Sequence, residues 1–163
     1  GRVFTTVTAA AGVAVVSYAS TAAGFIFYNP SSSGKNAHLL KAKIGYVSGT
    51  QTPGFFCYSV SSVGQAVPTG TACLTQSGLL GGSAPSCTPL YTATVAVMTF
   101  YEVFGVSVNA LTASAIVTPW GAVDDIDGRI VLPPGTWLNV AGSVAGFGTY
   151  AISMSWIELP TTA

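Results

Sequence analysis

Charged residues are scarce in this chain of 163 residues. Only 6% of the residues are Asp, Glu, Lys or Arg, five acidic and five basic, and there is a single histidine. An ordinary soluble domain carries about 25% charged residues. Five basic residues are too few to neutralise the phosphates along a nucleic-acid-binding stripe, so we expect no nucleic-acid partner. So little charge is typical of a domain that covers its surface with copies of itself or with a partner protein.

A long apolar helix is lacking too. Residues 3–34 carry no charge, and a membrane-spanning helix needs about 20 mostly apolar residues. However, this stretch has no central block of leucine or isoleucine, and threonine, serine and glycine interrupt it. We therefore expect two β-strands here, and neither a membrane span nor a signal peptide. Half of the residues are hydrophobic, which argues against disorder, and the length fits a single domain over residues 1–163.

Short extended segments bounded by glycine, proline, serine and asparagine recur along the chain. We predict strands at residues 13–18, 24–28, 37–48, 55–61, 90–104, 113–118, 128–132, 136–141 and 148–159. No convincing helical periodicity interrupts them. The pattern is typical of an all-β protein, and we predict a jelly-roll-like β-sandwich.

Two of the predicted strands alternate clearly enough to assign their faces. In the last strand, one face is formed by Tyr150, Ile152, Met154 and Trp156. In the strand at 37–48, we predict one face with His38, Leu40, Ala42, Ile44 and Tyr46, and a solvent face with Leu39, Lys41, Lys43 and Gly45. The second face is assigned to solvent because it carries both lysines.

Residues 62–89 differ from the rest because they contain no charge and are dense in glycine, serine, threonine and proline. Structureless loops longer than about 12–15 residues are uncommon in compact domains. We predict a long loop or hairpin that projects from the sandwich. A disulfide between Cys73 and Cys87 would close part of it and stabilise the fold by about 3 kcal/mol. In a reducing cytoplasm both would instead stay thiols, whereas Cys57 is expected in the core.

The carboxylates cluster at one place, where Asp124, Asp125 and Asp127 precede Gly128. Three acids within four residues offer oxygen ligands to Ca²⁺. A turn in a sheet also needs Asp and Gly for its local geometry, and the glutamate that completes an EF-hand loop is lacking. We therefore predict a turn, with a Ca²⁺ site as the alternative.

No combination of residues resembles a catalytic centre. His38 is the sole histidine, and the cysteines lack metal-site spacing, so we predict no metal and no other cofactor. Cys57 lacks the surroundings of a cysteine nucleophile. Glu102 and Glu158 would form a glycosidase pair only if the fold brought them together. We predict that the protein is not an enzyme.

Trp120 is the aromatic residue best placed to contact a ligand, because it lies between Pro119 and Gly121 in a predicted loop. Trp156 and Tyr150 share a strand face and are expected in the core. Jelly rolls are a common lectin scaffold. The alternative function is therefore a carbohydrate-binding module, or a trimeric receptor-binding or fibre-head domain.

Several segments resemble a known family. The sequences GRIVLPPGTWLNV at 128–140 and TYAISMSWIELP at 149–160 resemble the C-terminal end of tailed-bacteriophage virion proteins with a jelly-roll fold. In those proteins a strand, a Pro-Gly turn, a second strand and a closing Trp-x-Glu-x-Pro-like strand recur. The sequences YNP at 28–30, GK at 34–35 and KAKIGYVSGT at 41–50 are similar to their N-terminal half.

The resemblance implies a head decoration (cement) protein of a bacteriophage. Such a protein is a homotrimer that binds the major capsid protein on the outer surface of the capsid and stabilises the head. It is made in the host cytoplasm during assembly. The family supplies no catalytic residues to carry over, and residues 62–89 depart from its pattern.

Overall fold

The computed structural model describes residues 2–61, 66–79, 81–94, 99–107, 121–145 and 147–161. Within these ranges the regular secondary structure is entirely β, and two antiparallel sheets pack against each other. The predicted all-β sandwich is confirmed. The finer assignment of jelly-roll connectivity stays a prediction, and the strand predicted at 113–118 lies outside the described residues.

The first sheet has seven strands in its described part. Its neighbours in space are β10 (Gly121–Asp125), β4 (Lys35–Ser48), β13 (Thr149–Pro160), β1 (Arg2–Val7) and β7 (Leu74–Ser77). Two short strands complete it, β11 (Val131–Leu132) beside β4 and β2 (Val13–Ala14) beside β13. One face of this sheet covers the core, and the other is open to solvent.

The second sheet has six strands among the residues that the structure describes. Its order is β6 (Thr69–Ala72), β8 (Thr88–Thr94), β3 (Ala22–Asn29), β12 (Thr136–Gly142), β5 (Gly54–Val60) and β9 (Thr99–Ser107). The central strand β12 is buried at every residue. In β3, Phe25 and Phe27 belong to the main core, whereas Ile26 packs in a second cluster with Trp137. Both faces of this sheet are therefore covered at its centre.

Strand β13 supplies much of the main core. Tyr150, Ile152, Met154 and Trp156 are all buried on its inner face, which confirms the predicted alternation. The Trp156 ring packs edge-on against Phe27 of the opposite sheet, with 4.8 Å between ring centroids, and against Phe4 of β1 at 5.6 Å. These contacts join the two sheets through their apolar side chains.

A β-bulge corrects the face assignment in β4. Ser155 pairs with Lys41 and Trp156 pairs with Leu39, so Leu40 is an extra residue without an opposite partner. The extra residue reverses the order of inward and outward side chains in the part of β4 that precedes Leu40. Leu39 is consequently buried and His38 faces outward, which is the opposite of the prediction for these two residues.

The described part of segment 62–89 does not project as predicted. It contains β6 at one edge of the six-stranded sheet and β7 at one edge of the seven-stranded sheet. Only Cys73 separates the two strands, so the chain passes from one sheet to the other within a single residue. The reason is backbone hydrogen bonding: both strands satisfy their polar groups against the sandwich, as the Cys73 N–H does at the Pro89 carbonyl (2.9 Å).

Candidate functional site

An ionic cluster lies where β9, β10 and the following turn meet. Arg129 donates to Asp124 Oδ2 at 2.7 Å and to Glu102 Oε1 at 3.2 Å. The buried Tyr58 hydroxyl donates to the same Asp124 oxygen at 2.9 Å. Burial raises the pKa of Tyr58, and the Asp124 carboxylate raises it further, so the phenol stays a donor. The cluster joins the second sheet, through Tyr58 and Glu102, to the first sheet, through Asp124.

The three aspartates of this region do not converge on a common centre. Asp124 turns inward to Arg129, whereas Asp125 faces outward and forms a salt bridge to Lys41 at 2.6 Å. That hydrogen bond and the charge of Asp125 raise the pKa of Lys41. Asp127 and Gly128 form a turn with positive φ angles of 49° and 81°. Within the described ranges no group of three His, Cys, Asp or Glu side chains is arranged to hold a metal ion.

Glu158 forms a second polar centre inside the protein. Its side chain is only 2% exposed. Oε1 accepts hydrogen bonds from the backbone N–H groups of Ser86 (2.7 Å) and Cys87 (2.9 Å) and from the Trp156 indole (3.3 Å). Lys35 Nζ lies 3.1 Å from Oε2. The carboxylate thereby holds the segment before β8 against β13 and β4.

The charge state of Glu158 follows from these donors. Burial by itself would raise its pKa, but the N–H of Cys87, the ammonium of Lys35 and the other donors outweigh burial and lower the pKa. The group is therefore ionised near neutral pH and has its hydrogen-bonding capacity filled. This is the arrangement of a structural acceptor rather than of a general acid, which needs a raised pKa.

All three cysteines are buried free thiols. Of the two states considered for Cys73 and Cys87, the structure thus holds the pair as thiols. Their backbones are fixed by different partners, Cys73 by Pro89 and Cys87 by Glu158. Burial raises the pKa of Cys73 to about 11 and that of Cys57 to about 12. The pKa of Cys87 is raised as well, by burial and then by the Glu158 charge.

The two residue pairs considered for catalysis are separated by the fold. His38 lies in the seven-stranded sheet opposite Ile157, whereas Cys57 is buried in the six-stranded sheet and contacts the Ala141 carbonyl at 3.7 Å. Glu102 is bound to Arg129, and Glu158 is bound to Lys35. Trp120, the predicted ligand contact, lies outside the described residues.

The open face of the seven-stranded sheet is rich in apolar side chains. Its exposed large apolar residues are Val3, Val7, Leu74, Val123, Val131 and Leu159. Threonine and serine side chains, such as Thr5 and Ser155, lie between them and hydrogen-bond to each other at 3.0 Å. Of these residues only Val131 and Leu159 lie in predicted strands. The strands β1, β7 and β10 were not predicted, so most of this surface was missed from the sequence.

A second exposed apolar surface lies along β9, at the edge of the other sheet. Tyr101 is 50% exposed and Val103 is 43% exposed. Tyr101 also lines a cleft of about 250 Å³ whose other apolar walls are Val60, Ile130, Val131, Leu132 and Pro133. Sequence reasoning missed this cleft, because its walls come from three separate stretches of the chain.

Comparison with known proteins gives no match to a family model, to a curated protein or to a solved structure. No helix in the described part of the chain has the length and apolar character needed to cross a membrane.

Proposed function

We propose that this protein is a non-enzymatic structural component of a phage virion, which binds the major capsid protein on the outer surface of the head and stabilises it. We further propose that it acts as a homotrimer. The family resemblance of residues 128–140 and 149–160 supports the choice of a capsid as the partner. The outer location on the virion, and synthesis in the host cytoplasm, follow from the same proposal.

The observation that carries the proposal is the apolar outer face of the seven-stranded sheet, which holds few charges and on which Lys41 is already paired with Asp125. Burying apolar surface contributes about 25 cal/mol per Å², whereas burying an unpaired charge costs several kcal/mol. Valines separated by Ser and Thr hydroxyls can be covered by another protein with few ions to desolvate. The charged side chains support the same view, because most of them are already engaged in four salt bridges.

The proposal is tested by adding the purified protein to phage capsids that lack it. We expect the protein to sediment with the particles and to raise the temperature at which they disrupt. Because the contacts are mainly apolar and hydrogen-bonded, binding should persist in 1 M NaCl, where ionic contacts are screened within about 3 Å. Absence of the protein from the particle fraction at low and high salt would reject a capsid partner.

A carbohydrate-binding role is the second candidate function, and an aromatic group on the surface favours it. Phe100 is 44% exposed and contacts Tyr18 and Phe55, with ring centroids 5.4 and 6.1 Å apart. Exposed aromatic rings present an apolar surface on which a sugar ring can pack. Binding on a glycan array that is lost in Phe100→Ala, together with failure to bind capsids, would favour this function.

A further inference from the structure

We infer that copies of this chain associate head to tail, with the open face of the seven-stranded sheet of one copy packed against the β9 edge of the next. The inference rests on the self-association in the proposed function and is independent of capsid binding. It names the two surfaces that meet. We call them the basic face (Lys43, Val7 and Leu74) and the acidic edge (Tyr101, Glu102 and Val103).

The basic face contains one row of residues that crosses four neighbouring strands. The pairing of β4, β13, β1 and β7 places Lys43, Ser153, Val7 and Leu74 side by side. At the usual spacing between strands the row spans about 14 Å. Val7 is 39% exposed and Leu74 is 64% exposed. Beyond Lys43 the row continues to the exposed Val123 of β10. Among the described residues Lys43 takes part in none of the four salt bridges, so the row contains a cation without a carboxylate partner.

The acidic edge has the complementary composition. Glu102 and Asp124 share Arg129. Two carboxylates against one guanidinium leave one negative charge at this edge. The same edge presents Tyr101, Val103 and the apolar cleft of about 250 Å³. The cleft offers a place for an aliphatic side chain such as Leu74 of a second copy.

Charge then decides how two copies meet. Two basic faces would bring their Lys43 side chains together, and two acidic edges would bring together two surfaces that each carry one excess negative charge. Like charges placed opposite each other across an interface cost several kcal/mol. Only the contact between face and edge combines apolar burial with opposite charges. A contact between unlike surfaces is heterologous, and it closes into a ring when the rotation between copies allows closure, as the proposed homotrimer requires.

The test is sedimentation velocity of the full chain at micromolar concentrations. We expect the sedimenting species of wild-type protein to have a molecular mass well above the 16.5 kDa of one chain. Val7→Glu on the face and Tyr101→Lys on the edge should each weaken association about 100-fold. A 1:1 mixture of the two variants should associate again, since each supplies the surface that the other has lost. Val67→Lys, at an exposed valine outside both surfaces, is the matched control and should behave as wild type.

Other results overturn the inference. Monomeric wild-type protein would do so, as would a mixture of the two variants that stays monomeric. Normal association of Tyr101→Lys alone would show that the edge is not used. Circular dichroism and thermal unfolding of each variant confirm that these exposed positions leave the fold intact. Capsid binding is measured separately. Monomers that bind particles would reject the head-to-tail contact but agree with the proposed capsid-binding function. Rings that do not bind particles would support the head-to-tail contact but reject that function.

Discussion

Glu158 shows at the scale of one residue how a protein with few charges uses them. The sequence suggests only a charge near the end of a strand. In the structure its carboxylate accepts hydrogen bonds from Ser86 and Cys87, more than 70 positions away, and pairs with Lys35. No local sequence pattern identifies these partners, because they depend on which distant segments of the chain pack beside β13.

Replacing Glu158 should therefore be costly. In Glu158→Ala, Lys35 and two buried backbone N–H groups lose their acceptor, and we expect a loss of about 3–5 kcal/mol in the free energy of unfolding. Glu158→Gln keeps one carbonyl oxygen for the N–H groups and should lose less. Asp127→Asn removes the charge of an exposed acid and keeps a residue type that tolerates the positive φ of this position, so it should change stability by no more than about 0.5 kcal/mol. Urea unfolding at pH 7 measures all three.

The same residue predicts an acid dependence of stability. The pKa of Glu158 is lower in the folded protein than its ordinary value. Its contribution is therefore fully present above the unfolded pKa of about 4.3 and is lost as the pH falls through the folded pKa. Glu158→Gln should show a shallower decline in stability below pH 4.3 than wild type. Equal slopes in the two proteins would show that other carboxylates govern acid unfolding.

The thiols give a further prediction at this scale. Since all three cysteines are buried and the pKa of each is raised, we expect no alkylation by iodoacetamide in the native protein at pH 8. Denatured, non-reduced protein should take up three labels, as read by intact mass. Uptake of one label would instead reveal a disulfide.

At the scale of strands, alternation predicts the faces where a strand has one buried side. β13 has one buried side, and its inner residues were identified correctly. β12 is buried on both sides, so the order of its side chains does not distinguish a core face from a solvent face. In β4 the bulge at Leu40 depends on pairing with β13, which is distant in sequence. The two short strands in 62–89 were missed because glycine, serine and threonine there resemble a loop.

Two glycines in strands differ in the space that is available for a side chain. A Cβ added at Gly24 of β3 would overlap the carbonyl oxygen of Ala14, whereas one at Gly45 of β4 meets nothing within 4 Å. We expect Gly24→Ala to destabilise the protein by about 3 kcal/mol. Gly45→Ala should be neutral or stabilise it by about 0.5 kcal/mol, because alanine loses less backbone entropy. Thermal unfolding of both variants tests the contrast, and similar shifts in Tm would contradict it.

At the scale of the whole molecule, the two lateral sides of the sandwich are closed differently. On one side the backbone itself crosses between the sheets at Cys73. On the other side β9 and β10 are joined by side chains around Arg129. The acidic residues of this cluster were recognised from the sequence, but Tyr58 and Arg129 were not, because their roles depend on which strands become neighbours.

This asymmetry predicts where the molecule opens first. Arg129→Met should remove the ionic connection while keeping an apolar stem of similar length. Since Arg129 is partly exposed, we expect a loss of at most about 1 kcal/mol. Amide hydrogen exchange should accelerate in β9 and β10 and stay unchanged in β6 and β7. Uniform acceleration across both sheets would show that the two sides open together.

The pairing of the first and last strands has a consequence for how the chain can be rewired. Arg2 lies opposite Glu158, and Thr161 donates its N–H to Gly34 near the same end of the sandwich. The start of β1 and the residues that follow β13 therefore lie close together. A linker of about five residues, at about 3.3 Å per extended residue, is long enough to join Thr161 to Arg2. A circular permutant that joins Thr161 to Arg2 and is cut at the exposed Ser31–Ser32 turn should therefore keep the fold. Its new ends would lie between β3 and β4, which belong to different sheets, and would give tags a second point of attachment.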